Sequence, residues 1–208
     1  SVTYNGGLTP DTGIFQVEYE GYQTWGFCVD LGTALDLSQP TNYDYTTQKP
    51  VDYNTNLAYV EWLLDEYGQN AYATTNGKAT RGAALQLAIW EVLYDFNNLD
   101  YDNDGAGTDS YDSIGNFYYN RSGVESTDNW VNNFYDEYIN ALTLAITGGL
   151  SASSYVSSGN YVVADLFVGS KSNKEVQDII VNVVPEPTTA LLLGFGLLGL
   201  CAVGRKRA

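Results

Sequence analysis

Two side chains in this chain of 208 residues have types and settings that could do chemistry. The first is Cys28, in "TWGFCVDL". The only other cysteine, Cys201, sits inside a C-terminal apolar run that keeps it away from the body of the chain. Cys28 is therefore a lone thiol, and in an exported chain such a leftover cysteine is either reactive or paired with another molecule; a small buried hydrophobe is the bland alternative. The second is Gln86, in "GAALQLAIWEVLYD". Between Gly82 and Trp90 it is the one polar side chain. A buried amide without partners costs a few kcal/mol by rough transfer estimates, so Gln86 must either bond to neighbouring backbone or react.

Other chemistry is excluded by what is missing. There is no histidine. That removes Ser-His-Asp and Cys-His catalysis, histidine metal sites and most general-base schemes at neutral pH. A turnover enzyme is disfavoured. The formal charge is −16, with −18 on residues 1–184 and +2 on residues 185–208. An acidic body argues against nucleic acid and anionic membrane surfaces, and either solubility or cation binding accounts for it. In "DYDNDGAGTDSYD", Asp100, Asp102 and Asp104 followed by Gly105 form the opening half of a calcium loop of the D-x-D-x-D-G type. Tyr111 occupies the twelfth position, where such loops place Glu, with Asp109 and Asp112 close by. Calcium over residues 100–112 is one reading, and a solvated acidic loop is the other. No cofactor is required.

The reactive candidates need elements to hold them. "GIFQVEYEG" and "TWGFCVDL" alternate as strands over residues 12–31. In the second, Trp25, Phe27, Val29 and Leu31 share one face, and Thr24, Gly26, Cys28 and Asp30 the other. Residues 32–54 are turn-rich. Helices are predicted over about 56–67, 80–97 and 127–146, the last with Trp130, Phe134 and Tyr138 on one stripe. Residues 69–79 and 98–125 read as loops. Strands return in "YVVADLFVG" and "EVQDIIVNVV". The expected fold is one α+β domain over 1–184, a β-sandwich or barrel built from both ends with a helical subdomain inserted between them.

The C-terminal "VPEPTTALLLGFGLLGLCAVGRKRA" stands apart. Thr188 to Gly204 are uncharged, close to the lower limit of roughly 17 residues for a membrane-spanning helix. Arg205, Lys206 and Arg207 follow and would stay cytoplasmic, which places the body outside. The order Pro185-Glu186-Pro187, short apolar span and basic end resembles the PEP-CTERM sorting signal. That resemblance implies a Gram-negative bacterium, processing by an exosortase near Pro185–Pro187, and release to the cell surface or extracellular matrix. The chain has no Met even at position 1, so it reads as a mature chain or fragment whose secretory signal has gone.

Three stretches of the body resemble a second family. "GFCVDL" is similar to the aromatic-Cys-Ile/Val-Asp strand of bacterial surface thioester domains. "LQLAIW" is similar to their Thr-Gln-x-Ala-Ile-Trp helix, with Leu85 in the place of the usual Thr. "LAYVEWLLDEYG" looks like the helix between them. The resemblance covers about residues 12–97. It implies an internal thioester joining Cys28 to Gln86 with loss of ammonia, and covalent attachment to an amine-bearing protein or polysaccharide: adhesion or matrix cross-linking rather than turnover. Trp25, Phe27 and Trp90 are the expected shield against water, and Asp30 the expected orienting group. The alternative is a non-covalent structural or carbohydrate-binding matrix protein that uses its 18 Tyr.

Overall fold

The computed structural model describes residues 2–4, 14–31, 42–73, 78–99, 129–167 and 176–183. Six strands form an antiparallel sheet that closes on itself: β1 (Val2–Tyr4), β2 (Phe15–Tyr19), β3 (Tyr22–Cys28), β4 (Asn42–Gln48), β5 (Tyr161–Phe167) and β6 (Ile179–Asn182). Around the barrel the order is β1-β2-β3-β6-β5-β4. The helices lie between β4 and β5: α1 (Pro50–Tyr53), α2 (Leu57–Leu63), a π-helical turn (Leu64–Gly68), α3 (Gln69–Ala73), α4 (Lys78–Tyr94) and α5 (Asn129–Thr147). The fold is α+β, with strands from both ends of the chain and helices inserted between them.

Pairing register decides which side chains share a face, because directly opposed residues point to the same side. Phe15 pairs Gly26 and Val17 pairs Thr24; Cys28 pairs Ile179, and Ala164 pairs Ile179 from the other side. These residues line one face, and all are buried. Phe27 pairs Ile180, and Ile180 pairs Val163. Trp25 belongs to this opposite face, which carries the helices: its ring lies 6.5 Å from that of Tyr72 and 6.2 Å from that of Tyr161. A Cβ on Gly68 would sit 2.8 Å from the Trp25 ring. Cys28 thus faces the barrel interior while the aromatic stripe packs outward under the helices. Gly26 is needed where it stands, since a Cβ there would be 2.8 Å from the Ile180 carbonyl oxygen of β6.

Several expectations are corrected. Residues 32–54 hold β4 and α1, and residues 69–79 begin with helix α3. In β4, Tyr43 is buried and Tyr45 half-buried while Asp44 and Thr46 are exposed, so a polar composition conceals a period of two. A short β1 precedes the first expected strand. In α5 the buried stripe is Tyr135, Tyr138, Ile139 and Leu142, with Phe134 at its edge under the Arg81 guanidinium at 4.1 Å. Leu31 is exposed, because β3 has ended before it. Among the described residues no helix is long and apolar enough to cross a membrane. The expected span at 188–204, the Trp130 side chain and the loop of Asp100, Asp102 and Asp104 lie outside the described residues.

The π turn and α2 before it carry an acidic pair, Asp65 and Glu61. Asp65 accepts five hydrogen bonds from residues 155–161, the segment leading into β5 and its first residue: Tyr155 Oη at 2.5 Å, Ser157 Oγ at 2.8 Å, Ser158 N at 2.7 Å, Gly159 N at 3.0 Å and Tyr161 Oη at 3.0 Å. One turn earlier is Glu61, half-buried. Burial, then the charge of Asp65, push its carboxyl from the ordinary 4.5 up to about 7. The folded chain therefore holds this proton more tightly than the unfolded one. The resulting stability is fully present below about pH 4.5 and is lost as pH rises through about 7. Thermal melts from pH 5 to 8 should show Tm falling less in Glu61→Gln than in the wild type. An unchanged slope would mean that Glu61 is ionised throughout.

Candidate functional site

Cys28 and Gln86 meet. The Cys28 backbone N–H donates to Gln86 Oε1 at 2.9 Å, and Gln86 Nε2 donates to the Cys28 carbonyl at 2.7 Å. Neither side chain is exposed beyond 2%. The sheet explains why that position on β3 is open. Val29 N–H donates to the Asp178 carbonyl on the β6 side at 2.9 Å. Alternation then turns the Cys28 N–H and C=O toward β2. The β2–β3 ladder ends at the Phe15–Gly26 pair. Past it, the Gln86 amide meets one donor and one acceptor on Cys28 that burial would otherwise leave unsatisfied.

α4 reaches the strand because Gly82 lies one turn before Gln86. A Cβ on Gly82 would stand 3.0 Å from Ile14 Cγ2 and 3.1 Å from Ile14 N. Without a side chain the helix settles against the start of β2, and the next turn presents Gln86 to Cys28. Two turns further on, α4 holds the tail of β3 again. Tyr94 Oη accepts from Leu31 N–H at 3.0 Å and donates to the Val29 carbonyl at 3.2 Å.

Among the described residues Cys28 is the free cysteine. Burial, and secondarily the charge of Asp30, push its thiol well above the ordinary value. It rests as a neutral thiol. Asp30 is half-buried just past β3, and Gln177 Nε2 donates to its backbone carbonyl at 2.6 Å. On the facing strand end, Asp178 accepts from Tyr53 Oη at 3.0 Å. Its carboxyl is raised to about 6, by burial first and also by Asp165 and Asp30.

The expected shield is distributed. Trp25 and Phe27 meet edge-to-face at 5.7 Å on the helix-bearing face of β3, behind the strand from Cys28. They seal the strand against the helices rather than sharing the face of the thiol. Trp90 is buried one turn after Gln86 on α4. Leu85, the departure from the thioester motif, is fully buried. Residues that sequence reading passed over include Gly82, Tyr94, and the buried carboxylates Glu91 and Asp95 on and just after α4. The signal was present for Glu91, a charge one residue after Trp90 in an otherwise apolar helix. Among the described residues no group of three or more Cys, Asp or Glu is placed to hold a metal ion.

Comparison with known proteins reaches one end of the chain. Residues 183–207 match the PEP-CTERM protein-sorting motif. No curated protein and no solved structure matches the chain. The motif implies export and sorting to the cell surface of a Gram-negative bacterium, with processing by an exosortase.

Proposed function

We propose that this surface-sorted protein attaches itself covalently to amine-bearing partners through a thioester between Cys28 and Gln86. The observation that supports the reading is the reciprocal pair of hydrogen bonds that brings the Gln86 amide onto the Cys28 backbone in a site closed to water. Cys28 Sγ attacks Gln86 Cδ, and the N–H of Cys28 stabilises the developing charge on Oε1. The C–N bond breaks, Nε2 leaves as ammonia with the thiol proton, and an S–C bond remains. A primary amine then attacks the same carbon. It forms an amide on residue 86, and the thiolate leaves and recovers a proton as the Cys28 thiol. The partner is an amine-bearing protein or polysaccharide, the reaction runs once per chain, and no cofactor is needed. The test is intact mass of purified residues 1–184 with and without methylamine. The untreated chain is expected to be lighter by one ammonia, and the treated chain to carry one methylamine in its place. A full mass in both samples rejects the thioester.

A second reading has its own support. The Gln86 amide already makes good hydrogen bonds through both its oxygen and its nitrogen, as an ordinary structural amide would. The protein would then be a non-covalent structural or carbohydrate-binding component of the matrix. A full mass with a thiol titratable after unfolding selects this reading.

A further inference from the structure

The sorting motif begins where the barrel ends. β6 is closed in between β3 and β5, and the next residue, Val183, donates its N–H to the Asn160 carbonyl at 2.6 Å. Pro185 is two residues on, and Pro187 four. A chain spans at most about 3.6 Å per residue, so Pro185 lies within about 7 Å of Val183 and Pro187 within about 14 Å. Any protease that cuts at Pro185–Pro187 must bring its active site to this rim of the barrel.

Residues 155–160 form the surface it would meet there. They lead directly into β5, whose first residue, Tyr161, pairs Asn182 at the end of β6. Asp65 fixes the loop through Tyr155, Ser157, Ser158 and Gly159. Gly159 lies so close to the Tyr161 ring that any Cβ would clash with it. Within this fixed loop Val156 points to solvent, 87% exposed, the most exposed large apolar side chain among the described residues. An apolar residue held out on a tied loop has no role in the core.

We propose that residues 155–160, presenting Val156, form a docking surface for the exosortase that cuts the sorting signal. The loop sets the enzyme beside the Pro-Glu-Pro stretch, so recognition uses the folded rim as well as the motif. The proposal rests on the sorting motif and the barrel, and it holds or fails independently of the thioester.

The test is pulse-chase of the full exported chain in a bacterium that supplies the exosortase, following conversion of precursor to processed protein. Val156→Asp should slow conversion several-fold while the Tm of its purified body stays at the wild-type value. A ten-residue Gly/Ser insertion after Val183 should slow conversion to a similar extent, because it separates motif from loop. Val156→Asp added to that insertion should then have no further effect. Wild-type conversion by Val156→Asp overturns the proposal. So does faster conversion with the insertion, which would make the barrel an obstacle rather than a platform.

Discussion

Gln86→Ala is expected to lose both the amine-trapping reaction and about 3 kcal/mol of stability, whereas Cys28→Ala should lose the reaction at a cost of about 1 kcal/mol. The difference follows from what each side chain contacts. Alanine at 28 keeps the backbone N–H and C=O that Gln86 holds, and removes one small buried thiol. Alanine at 86 leaves those two groups buried without partners, and each orphaned group costs about 1–3 kcal/mol. Gln86→Glu separates the contributions further. One carboxyl oxygen can still accept from Cys28 N–H, but the other meets the Cys28 carbonyl at hydrogen-bond distance and must carry a proton to stay. The folded-state pKa of that Glu would be raised, so its stability would be present in acid and lost as pH rises through the raised value. Urea melts at pH 5 and pH 8 on the three variants, read beside methylamine trapping, check this. Equal stability of Gln86→Ala and Cys28→Ala would show that the two hydrogen bonds contribute little. Trapping that survives Cys28→Ala would remove the cysteine from the chemistry.

The same residues show what could be read without coordinates. A lone thiol on an alternating strand and one amide in an apolar helix are local signals, and they converge in space. The assignment of Cys28 to the face opposite Trp25 and Phe27 needed only a period of two. What the sequence could not show was how both faces of β3 are buried, one inside the barrel and one beneath the helices. That arrangement depends on closure by β6, about 150 residues later in the chain. Nor could it show the position on β3 that Gln86 fills, since this depends on where β2 begins to pair with β3. β4 was missed because its exposed Asp44, Thr46 and Thr47 gave the stretch the composition of a turn. Nothing local marks Asp65 as special, because its partners come from residues 155–161.

Asp65→Ala is expected to be among the most destabilising single changes in the chain, at about 3 kcal/mol. Hydrogen bonds to a charged acceptor contribute about 1.5–3 kcal/mol each where water is excluded, and less where it competes. Five donors converge on Asp65, and several lie near the surface, so the total falls well short of five full contributions. Asp65→Asn should rescue little: three donors meet one carboxylate oxygen and two the other, so an amide nitrogen at either place faces donors. The pH response gives a signature that simple loss of packing would not. Burial works to raise the Asp65 carboxyl, but the hydrogen bonds led by Tyr155 outweigh it and hold it below its ordinary 3.8. A depressed folded value gives stability that is present above 3.8 and lost as pH falls through the lower value. Glu61 acts in the opposite sense, favouring acid and losing its contribution toward pH 7. The wild type should therefore pass through a stability maximum between the two. Asp65→Ala removes the acid limb directly and weakens the alkaline limb too, because Glu61 no longer faces a neighbouring charge. Melts from pH 3 to 8 should show a lower and flatter profile for the variant. A profile lowered by the same amount at every pH would mean that Asp65 acts through packing alone. Because Asp65 also ties down the loop that carries Val156, the variant should in addition slow processing of the full chain.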